Sequence, residues 1–502
     1  MIIEPNSFNL TDKPWIPIAD VGRVSLMQIF TEPTYRTLGG NPVQKIALMK
    51  LLLAIAQAAC TPKDNEAWEA LGADGLVQKC LDYLAKHHDK FYLYGEKPFL
   101  QMPEISTAST QSIGAVLPEI ATGNTTILNA LQIETILNDA DKALLIVQLM
   151  GFGLGGKKTD NSIVLSTGYS GKSNDKGKAS TGKAGASLGF MGFLHNFLQG
   201  KSLLETLWLN LFTQEHIQNL PYANGLGVAP WEVMPKGEQC EIAQGLQNSL
   251  MGRLLPLSRF CLLNDKGLHY SEGITHLDYK TGMIDPSVAI NLATKPAKVL
   301  WVDTERRPWR FLTALLSFME ANSGGFECPY VKQGLLRART VVPKLGLWSG
   351  GLRVSSNAGE QFVSGSDDFL ESVTFMDSHY LGENWYSNLK LEMAELDLLA
   401  KIVYGATMSY FKSQKAEGKN QAAAASNLFW QLSERKFQDL VNACGQGEEQ
   451  TNVLRKDFAQ FVSAAYNAYC PNNTARQLNA WAENLPNLSK YLKNSKHPGV
   501  KA

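Results

Sequence analysis

The sequence predicts an α+β protein in which a large mixed N-terminal domain, residues 1–380, is followed by a C-terminal four-helix bundle, residues 381–502. Three observations predict this fold class: short β-like runs near the N-terminus, one long apolar run, and four amphipathic stripes after residue 384. A chain of 502 residues is long enough for more than one domain. Its 44% hydrophobic and 19% charged residues are typical of a globular protein.

The N-terminal part begins with KPWIPIADVGRVSLMQIF, residues 13–30, whose short apolar runs are broken by Pro and Gly as in β-strands. Residues 39–42, Gly-Gly-Asn-Pro, then indicate a helix start. The apolar run at residues 46–60 is shorter than a bilayer requires and contains Lys50. We therefore predict a buried helix there and expect no membrane contact.

Two segments in the middle of the chain carry clear patterns. Residues 193–212, FLHNFLQGKSLLETLWLNLF, have apolar residues at helical spacing and predict a helix. Residues 345–365, LGLWSGGLRVSSNAGEQFVSG, predict a β-hairpin with its turn near 355–359.

The C-terminal part is helical, with breaks at Gly418, Gly445, Gly447 and Pro471. Each of four segments carries apolar residues at helical spacing. The stripes are Leu396, Leu399, Val403, Ala406 and Tyr410; Leu428, Leu432, Leu440 and Cys444; Leu454, Phe458, Phe461, Val462, Ala465 and Tyr469; and Leu478, Trp481, Ala482, Leu485 and Leu488. Four such helices with short connections predict a four-helix bundle.

Charge and cysteine usage restrict the class of protein. The formal net charge is +0, so no field of the whole molecule steers it to nucleic acid or membrane, and any nucleic-acid contact must be local. The seven cysteines are scattered and form no C-x-x-C pair, which indicates free thiols in a reducing compartment. The N-terminus does not resemble a signal peptide, and we expect a cytoplasmic protein.

Residues 151–189 differ from the rest of the chain in composition, with ten glycines, six lysines and two acidic residues. Such a segment can bring bare backbone N–H groups and ammonium groups close to phosphates. Gly/Ser-rich segments are also often flexible surface loops without a ligand. Composition alone leaves both interpretations open.

The same segment suggests an alternative function, a nucleotide-binding enzyme. Residues 151–156, GFGLGG, fit G-x-G-x-x-G, and residues 177–183 fit the start of a P-loop. Ala184 stands where a P-loop needs Ser or Thr to bind Mg²⁺. Residues 143–150, ALLIVQLM, could form the strand that a dinucleotide site requires, but no helix start follows GFGLGG.

Complete catalytic motifs are missing from the sequence. His88-Asp89 resembles the dipeptide of metal phosphohydrolases, but His87 is the first histidine of the chain, so no earlier one can supply another ligand. H-E-x-x-H does not occur, and the G-x-S-x-G match at residues 185–189, GASLG, follows a polar stretch and not the strand that an α/β-hydrolase requires. We therefore expect no catalytic residues, no metal site and no cofactor.

Several segments resemble one family. They are FNLTDKPWIPI at 8–18, KIALMKLLLAIAQAACTPKD at 45–64, DKFYLYGEKPFLQMP at 89–103, FLQGKSLLETLWLNLF at 197–212 and WSGGLR at 348–353. In order and spacing they are similar to the large subunit of the type I-E CRISPR Cascade surveillance complex. The resemblance extends over nearly the whole chain and is most specific in the N-terminal segments.

The resemblance implies a non-catalytic subunit of an RNA-guided complex in cytoplasmic antiviral defence. Such a subunit docks at the 5′ end of the CRISPR RNA and recognises the short protospacer-adjacent motif (PAM) in double-stranded DNA from the minor-groove side. It helps to open the duplex for R-loop formation and is a platform for a recruited helicase-nuclease. Its other partners are the backbone, small, 5′-handle-binding and RNA-processing subunits of Cascade.

The resemblance also assigns residues to these contacts. A glycine loop within 181–192 and one lysine would contact the PAM, and a hairpin turn would act as a wedge that separates the strands. These PAM and DNA residues are Gly182, Lys183, Ala184, Gly185, Lys280, Ser355, Ser356 and Asn357. A loop at 122–139 would contact the guide RNA or a neighbouring subunit, through Asn124, Thr125, Thr126, Ile127, Leu128 and Asn129.

Overall fold

The computed structural model describes residues 7–117, 136–152, 159–174, 176–179, 192–320, 324–354 and 369–493. The chain divides into two compact units. The first unit comprises Met1–Trp309 and Gly324–Val373, and the second comprises Arg310–Ser323 and Thr374–Ala502. The second unit is therefore discontinuous in sequence and includes a segment that lies well before the predicted boundary at residue 380.

The described helices and strands agree with the predicted α+β fold class. The helices are α1 Leu26–Thr31, α2 Pro42–Ala59, α3 Asn65–Lys86, α4 Ile113–Val116, α5 Asp139–Leu149, α6 Leu203–Asn210, α7 Gln214–Gln218, α8 Glu241–Gln247, α9 Met251–Leu254, α10 Leu312–Leu315, α11 Pro329–Ala338, α12 Glu383–Ser413, α13 Lys419–Gln446, α14 Glu448–Tyr469, α15 Ala475–Glu483 and α16 Ser489–Lys493. The strands are β1 Ile16–Ile18, β2 Gly22–Val24, β3 Thr110–Gln111, β4 His195–Gln199, β5 Arg259–Asn264, β6 Gly267–Glu272, β7 Ile290–Asn291, β8 Lys298–Val299, β9 Lys344–Leu352 and β10 Phe369–Asp377. The fold class is confirmed.

The strands form four small sheets, in the orders β1-β2, β10-β9-β4, β3-β6-β5 and β7-β8. In the second sheet β4 pairs antiparallel with β9, so that Phe197 lies opposite Trp348. The N-terminal end of β4 therefore lies beside the C-terminal end of β9. Strand β10 passes from the first unit into the second.

Helix α2 is the buried helix that the sequence predicts, and it lies in the core of the first unit. Asn41 caps it by accepting a hydrogen bond from the Gln44 N–H, and the Gln44 side chain accepts in return from the Asn41 N–H. Within the described part of the chain, α2 is the one helix long and apolar enough to cross a bilayer, and most of it is buried inside the protein. Lys50 is fully buried on this helix and forms an ion pair of 2.7 Å with Asp285.

The helix predicted over residues 193–212 is only partly correct. Residues 195–199 form β4, whose Phe197 and Leu198 are both buried. A strand buried on both faces shows a continuous apolar run, which periodicity alone cannot distinguish from a helix. The helical part begins after Ser202, whose side chain caps α6 by accepting from the Glu205 N–H.

The hairpin predicted at residues 345–365 has its first strand where expected, in β9. Its return strand β10 begins at Phe369, after the predicted end of the hairpin. A Cβ built on Gly350 would lie 2.9 Å from the Leu370 carbonyl oxygen, so the end of β9 lies beside the start of β10. The predicted turn near 355–359 lies outside the described residues.

The second unit is built on three long helices, α12, α13 and α14, with the shorter α15 and α16. Most residues of the first and third predicted stripes are buried, among them Leu396, Val403, Phe458 and Val462. The second stripe is shifted, because Phe429 and Phe437 are buried where Leu428 and Leu432 are only half-buried. In the fourth, Leu478 and Leu485 are each 50% exposed, and the buried residue of this helix is Ala480, which lies outside the predicted stripe.

Candidate nucleic-acid interface

One residue of the predicted DNA-contacting set, Lys280, lies in the described part of the chain. The others lie outside the described residues, as does the whole of the predicted guide-contact set. They are Gly182, Lys183, Ala184, Gly185, Ser355, Ser356 and Asn357 for DNA, and Asn124, Thr125, Thr126, Ile127, Leu128 and Asn129 for the guide or a subunit. The geometry of the site therefore comes from Lys280 and from the residues that flank the other segments.

The residues that end the predicted glycine loop and begin the predicted wedge lie side by side. Gly192 is the last residue of the range 181–192 assigned to the loop and has φ +69°, in the left-handed region. A Cβ built on Gly192 would lie 2.8 Å from both the Leu352 carbonyl oxygen and a Val354 methyl carbon. Val354 is the last described residue before the predicted turn. The end of the predicted glycine loop and the start of the predicted wedge, about 160 residues apart in sequence, thus lie next to each other because β4 pairs with β9.

The third predicted element is attached at the same point. Phe193 forms a backbone bridge with Trp301, and its ring packs against Tyr279 in an edge-to-face arrangement with 5.9 Å between centroids. Tyr279 precedes Lys280. The two aromatic rings belong to an apolar cluster completed by Val288, Ile290 and Val299. This cluster fixes Lys280 relative to Gly192 and therefore relative to the two flanks.

Lys280 lies in a single helical turn, Tyr279–Thr281, at the surface. The Asp278 side chain caps this turn by accepting hydrogen bonds from the N–H groups of Lys280, at 2.9 Å, and Thr281, at 3.3 Å. The Lys280 ammonium lies 5.9 Å from the centre of the Tyr279 ring and forms no ion pair with a described residue. It is an exposed point charge on a rigid turn, suited to a phosphate or an acceptor in a groove.

A small cavity lies behind this turn. Its lining includes Phe193, Arg253, Tyr279 and Asp285, and its volume is about 30 Å³. One water molecule needs roughly 10–15 Å³ of such space, so the cavity has room for about two. Because the cavity is too small for a nucleobase, any contact with DNA at this point takes place on the surface.

A buried polar network supports the wall of the site. The Lys50 ammonium donates to both carboxylate oxygens of Asp285, and the Ser287 hydroxyl donates to the same carboxylate at 2.7 Å. His195 Nδ1 lies 2.8 Å from the Ser287 hydroxyl oxygen and donates to it. Burial raises the pKa of Asp285, but the charges of Lys50 and His195 and the hydrogen bonds outweigh this effect and hold that pKa at about 2.

Part of the Gly/Lys-rich segment is firmly packed, contrary to a flexible-loop interpretation. Lys172 is buried and forms an ion pair of 2.6 Å with buried Glu238. The Lys172 ammonium also donates to the Ser271 hydroxyl on β6 at 2.8 Å. Glu238 accepts from the N–H groups of Leu165 and Ser166 at 3.1 and 2.8 Å. We call this ion pair the Lys172–Glu238 clamp. One of the six lysines of the segment is therefore structural.

The described residues do not form the strands that the nucleotide-binding alternative requires before its glycine motifs. Residues 143–149, which could have formed the strand of a dinucleotide site, belong to helix α5, and their apolar character is explained by their being buried on all sides. The described residues just before Gly177, 159–174 and 176, form loops and turns. None of them belongs to a strand that could lead into a P-loop. Among the described residues, His, Cys, Asp and Glu side chains form no group that could hold a metal ion.

Local sequence patterns do not reveal the partners that hold the site together. In the sequence Lys50 is only a charge in an apolar helix, and its partner Asp285 is 235 residues away. A buried lysine requires an opposite charge, so Lys50 alone could have predicted some acidic partner, though not which one. Asp278, at the start of a helical turn, carried a local capping signal that could have been recognised.

Comparison with known proteins identifies what the chain resembles. The family model for CRISPR-associated protein Cse1 matches residues 9–469. A CasA/Cse1 protein of Thermus thermophilus is 29% identical over 340 residues, a stretch that covers 62% of this chain and spans 60% of that relative's length.

Solved structures share the fold. Cse1 of Thermobifida fusca has a TM-score of 0.75 and 19% sequence identity, with 95% of this chain and 96% of that chain covered. A chain of a CRISPR RNA-guided surveillance complex has a TM-score of 0.69 and 16% identity, with 96% and 99% covered. A Thermus thermophilus CasA (Cse1) structure has a TM-score of 0.69 and 20% identity, with 97% and 99% covered.

Proposed function

The chain belongs to the CRISPR-associated protein Cse1 family, that of the large subunit of type I-E Cascade, and we propose that it reads the PAM in double-stranded DNA. In this role it is a non-catalytic subunit that engages the duplex, helps to separate its strands and supports R-loop formation. Its activity, ligands and partners are all part of the proposal.

One observation carries the proposal. The flanks of the predicted glycine loop and of the predicted wedge meet where Gly192 contacts Leu352 and Val354. Phe193 connects the same point to the turn that carries Lys280. The described flanks of two predicted elements and the turn of the third thus lie close together although they are distant in sequence, which supports a shared contact with one short stretch of duplex.

The chemistry of the minor groove suits these elements. The groove presents a degenerate pattern of acceptors, so backbone groups and one lysine can read a motif loosely. Inserting a hairpin turn between base pairs costs a few kcal/mol of unstacking. Because pairing with a guide RNA replaces the lost DNA pairing almost in balance, contacts at the junction can decide whether opening proceeds.

The proposal includes partners that follow from family membership. We assign the guide RNA or a neighbouring subunit to the loop containing Asn124–Asn129. The backbone, small, 5′-handle-binding and RNA-processing subunits complete the complex, and a helicase-nuclease is recruited to it. The location proposed for this assembly is the cytoplasm.

The wedge is tested by replacing Ser355, Ser356 and Asn357 together with alanine in the assembled, guide-loaded complex. Binding to an intact PAM duplex should weaken, whereas binding to a duplex already melted beside the PAM should be nearly unchanged. The reason is that melting removes the unstacking cost in advance. An equal loss on both duplexes would mean that the hairpin is not a wedge.

Lys280 is tested by Lys280→Ala, with Lys266→Ala as the matched control. Both lysines are exposed, and each lies in a turn whose N–H is bound by an Asp or Asn side chain, at 2.9 Å in both cases. Loss of Lys280 should lower the salt dependence of duplex binding by about one unit of slope. If both variants give the slope of the parent, Lys280 makes no phosphate contact.

The nucleotide-binding alternative gives a different outcome in a simple measurement. A nucleotide that binds the folded chain raises its melting temperature. We expect no shift when the purified chain is titrated with ATP and Mg²⁺. A clear, saturable increase would favour the alternative.

A further inference from the structure

The segment 173–179, which we call the lysine turn, presents two exposed lysines that the proposed PAM contacts do not use. The Asn174 N–H donates to the Lys178 carbonyl, and the Gly177 N–H donates to the Asn174 carbonyl, each at 2.8 Å. The Asn174 side chain accepts from the N–H groups of Lys176 at 3.0 Å and Lys178 at 3.2 Å. The backbone of the turn is therefore closed, while both lysine side chains remain exposed.

The lysine turn begins at the residue after Lys172, so the Lys172–Glu238 clamp fixes its base. Lys172 is 1% exposed and Glu238 is fully buried. A backbone bridge between Ser173 and Ala179 joins the two ends of the turn. Separating a buried ion pair is costly, because each charge would be left in the interior without a counter-charge, and this keeps the base of the turn in place.

The positive charge of the turn comes from its two exposed lysines. Neither Lys176 nor Lys178 forms an ion pair with a described residue. The turn also contains Asp175, which lies outside the described residues. With two lysines and one aspartate, residues 173–179 have a formal net charge of +1. Two ammonium groups on flexible stems suit the phosphate backbone better than base edges, which require fixed and planar donors.

We propose that the lysine turn is a second DNA contact, in which Lys176 and Lys178 bind the phosphate backbone of the target duplex while the Lys172–Glu238 clamp holds the turn against β6. The inference rests on the proposed function. The duplex, and not the guide RNA, is the expected ligand because the turn immediately precedes the residues assigned to the groove. Contacts to phosphates add affinity without reading sequence.

The test uses the guide-loaded complex assembled with the full-length chain carrying Lys176→Ala and Lys178→Ala. A second complex carries Lys97→Ala and Lys266→Ala, which remove the same charge from other exposed positions. The dissociation constant is measured for a PAM duplex and for a duplex with a scrambled motif, at roughly 50 to 200 mM salt. We expect the salt slope to fall by about two units in the first complex alone, with a similar fold loss on both duplexes.

Several outcomes would overturn the inference. A slope equal to that of the parent, or an equal fall in the control complex, shows that the turn does not contact phosphates. Loss of guide RNA from the complex, with an unchanged duplex slope, assigns the turn to RNA instead. If the parent complex does not distinguish the two duplexes, the proposed PAM function fails, but the slopes still report on the two lysines.

The clamp has its own test. Glu238→Gln leaves the Lys172 charge buried without its partner, so the turn should loosen and the salt slope should fall although Lys176 and Lys178 are still present. Hydrogen exchange at the Leu165 and Ser166 amides should accelerate at the same time. Removing both charges together, by Lys172→Gln with Glu238→Gln, should recover the slope. A Glu238→Gln complex with the parent slope would exclude the positioning role.

Discussion

Gly192 occupies the most constrained position of the candidate site. Its φ of +69° favours glycine, and the space where a Cβ would be placed is already filled by Leu352 and Val354. Gly177 has nearly the same φ, +70°, but nothing lies within 4 Å of its Cβ position. The two glycines therefore separate the effect of backbone conformation from that of close approach.

We predict that Gly192→Ala destabilises the first unit more than Gly177→Ala. The left-handed conformation costs roughly 1–2 kcal/mol for alanine at either position. At Gly192 the backbone of Leu352 must also shift, which brings the expected total to about 2–4 kcal/mol. Urea unfolding of the two variants measures the difference. Equal midpoints would show that the flanks are not in tight contact.

Asp285 gives a prediction that depends on pH. Its folded pKa of about 2 lies below the ordinary value of about 3.9, so its stabilising effect is complete above pH 4 and is lost as the pH falls towards 2. Asp285→Asn should cost about 3–5 kcal/mol at neutral pH, because Lys50 is left buried without a counter-charge.

The parent should then lose about 2 kcal/mol more than Asp285→Asn between pH 4.5 and pH 2. Asp265→Asn, at an exposed position, is the control and should change the unfolding free energy little. Unfolding free energies measured across this pH range test the prediction. Parallel curves for the parent and Asp285→Asn would contradict it.

At the scale of elements, α2 shows how a local signal sets a central helix. Its N-terminus is fixed by reciprocal hydrogen bonds between Asn41 and Gln44, and the helix then continues through the core. The residues Asn-Pro before an apolar run contain this information in sequence, because Asn caps and Pro starts a helix.

We predict that Asn41→Ala lowers the unfolding free energy of the first unit by about 1 kcal/mol, since an N–H of the first turn loses its acceptor. Asn41→Asp keeps the acceptor and should be close to the parent. Thermal melting of the three proteins compares them directly. If Asp and Ala give the same loss, the side-chain cap does not stabilise α2.

Some elements of the fold could be predicted from the sequence and others could not, for physical reasons. Caps and amphipathic stripes are local, so α2, α6 and the long C-terminal helices could be predicted. The strand β4 could not, because its apolar residues are buried on both faces and show no alternation. Family resemblance, and not a local pattern, makes Lys280 a candidate for DNA contact. The ion pair of Asp285 and the contact of Gly192 with Val354 depend on long-range pairing, which no local pattern encodes.

At the scale of the whole molecule, the segment Arg310–Ser323 belongs to the second unit although the chain returns to the first unit after it, from Gly324 to Val373. Within that unit, Thr313 accepts a hydrogen bond from the Tyr386 hydroxyl at 2.8 Å, and the Arg310 guanidinium lies 3.6 Å from the centre of the Trp430 ring. The leucines of this segment are almost fully buried. They are Leu312, Leu315 and Leu316.

We predict that deleting residues 384–502 leaves a folded first unit with an exposed apolar surface at 310–323. The truncated chain should bind a fluorescent dye specific for apolar surface, and should weaken Cascade assembly and retention of target DNA. Replacing Leu312, Leu315 and Leu316 with serine in the truncated chain should abolish the dye binding. Equal dye binding by both truncated chains would contradict the assignment of this segment to the second unit.

The discontinuous second unit also has a consequence during synthesis on the ribosome. The segment 310–323 leaves the ribosome before any of the long helices that cover it, and Trp430 follows about a hundred residues later. At about 5–20 residues per second, its leucines wait roughly 5–20 seconds for their partners. During that interval the nascent chain exposes a short apolar segment. A chaperone that binds apolar peptides can shield it until α12 and α13 have been synthesised.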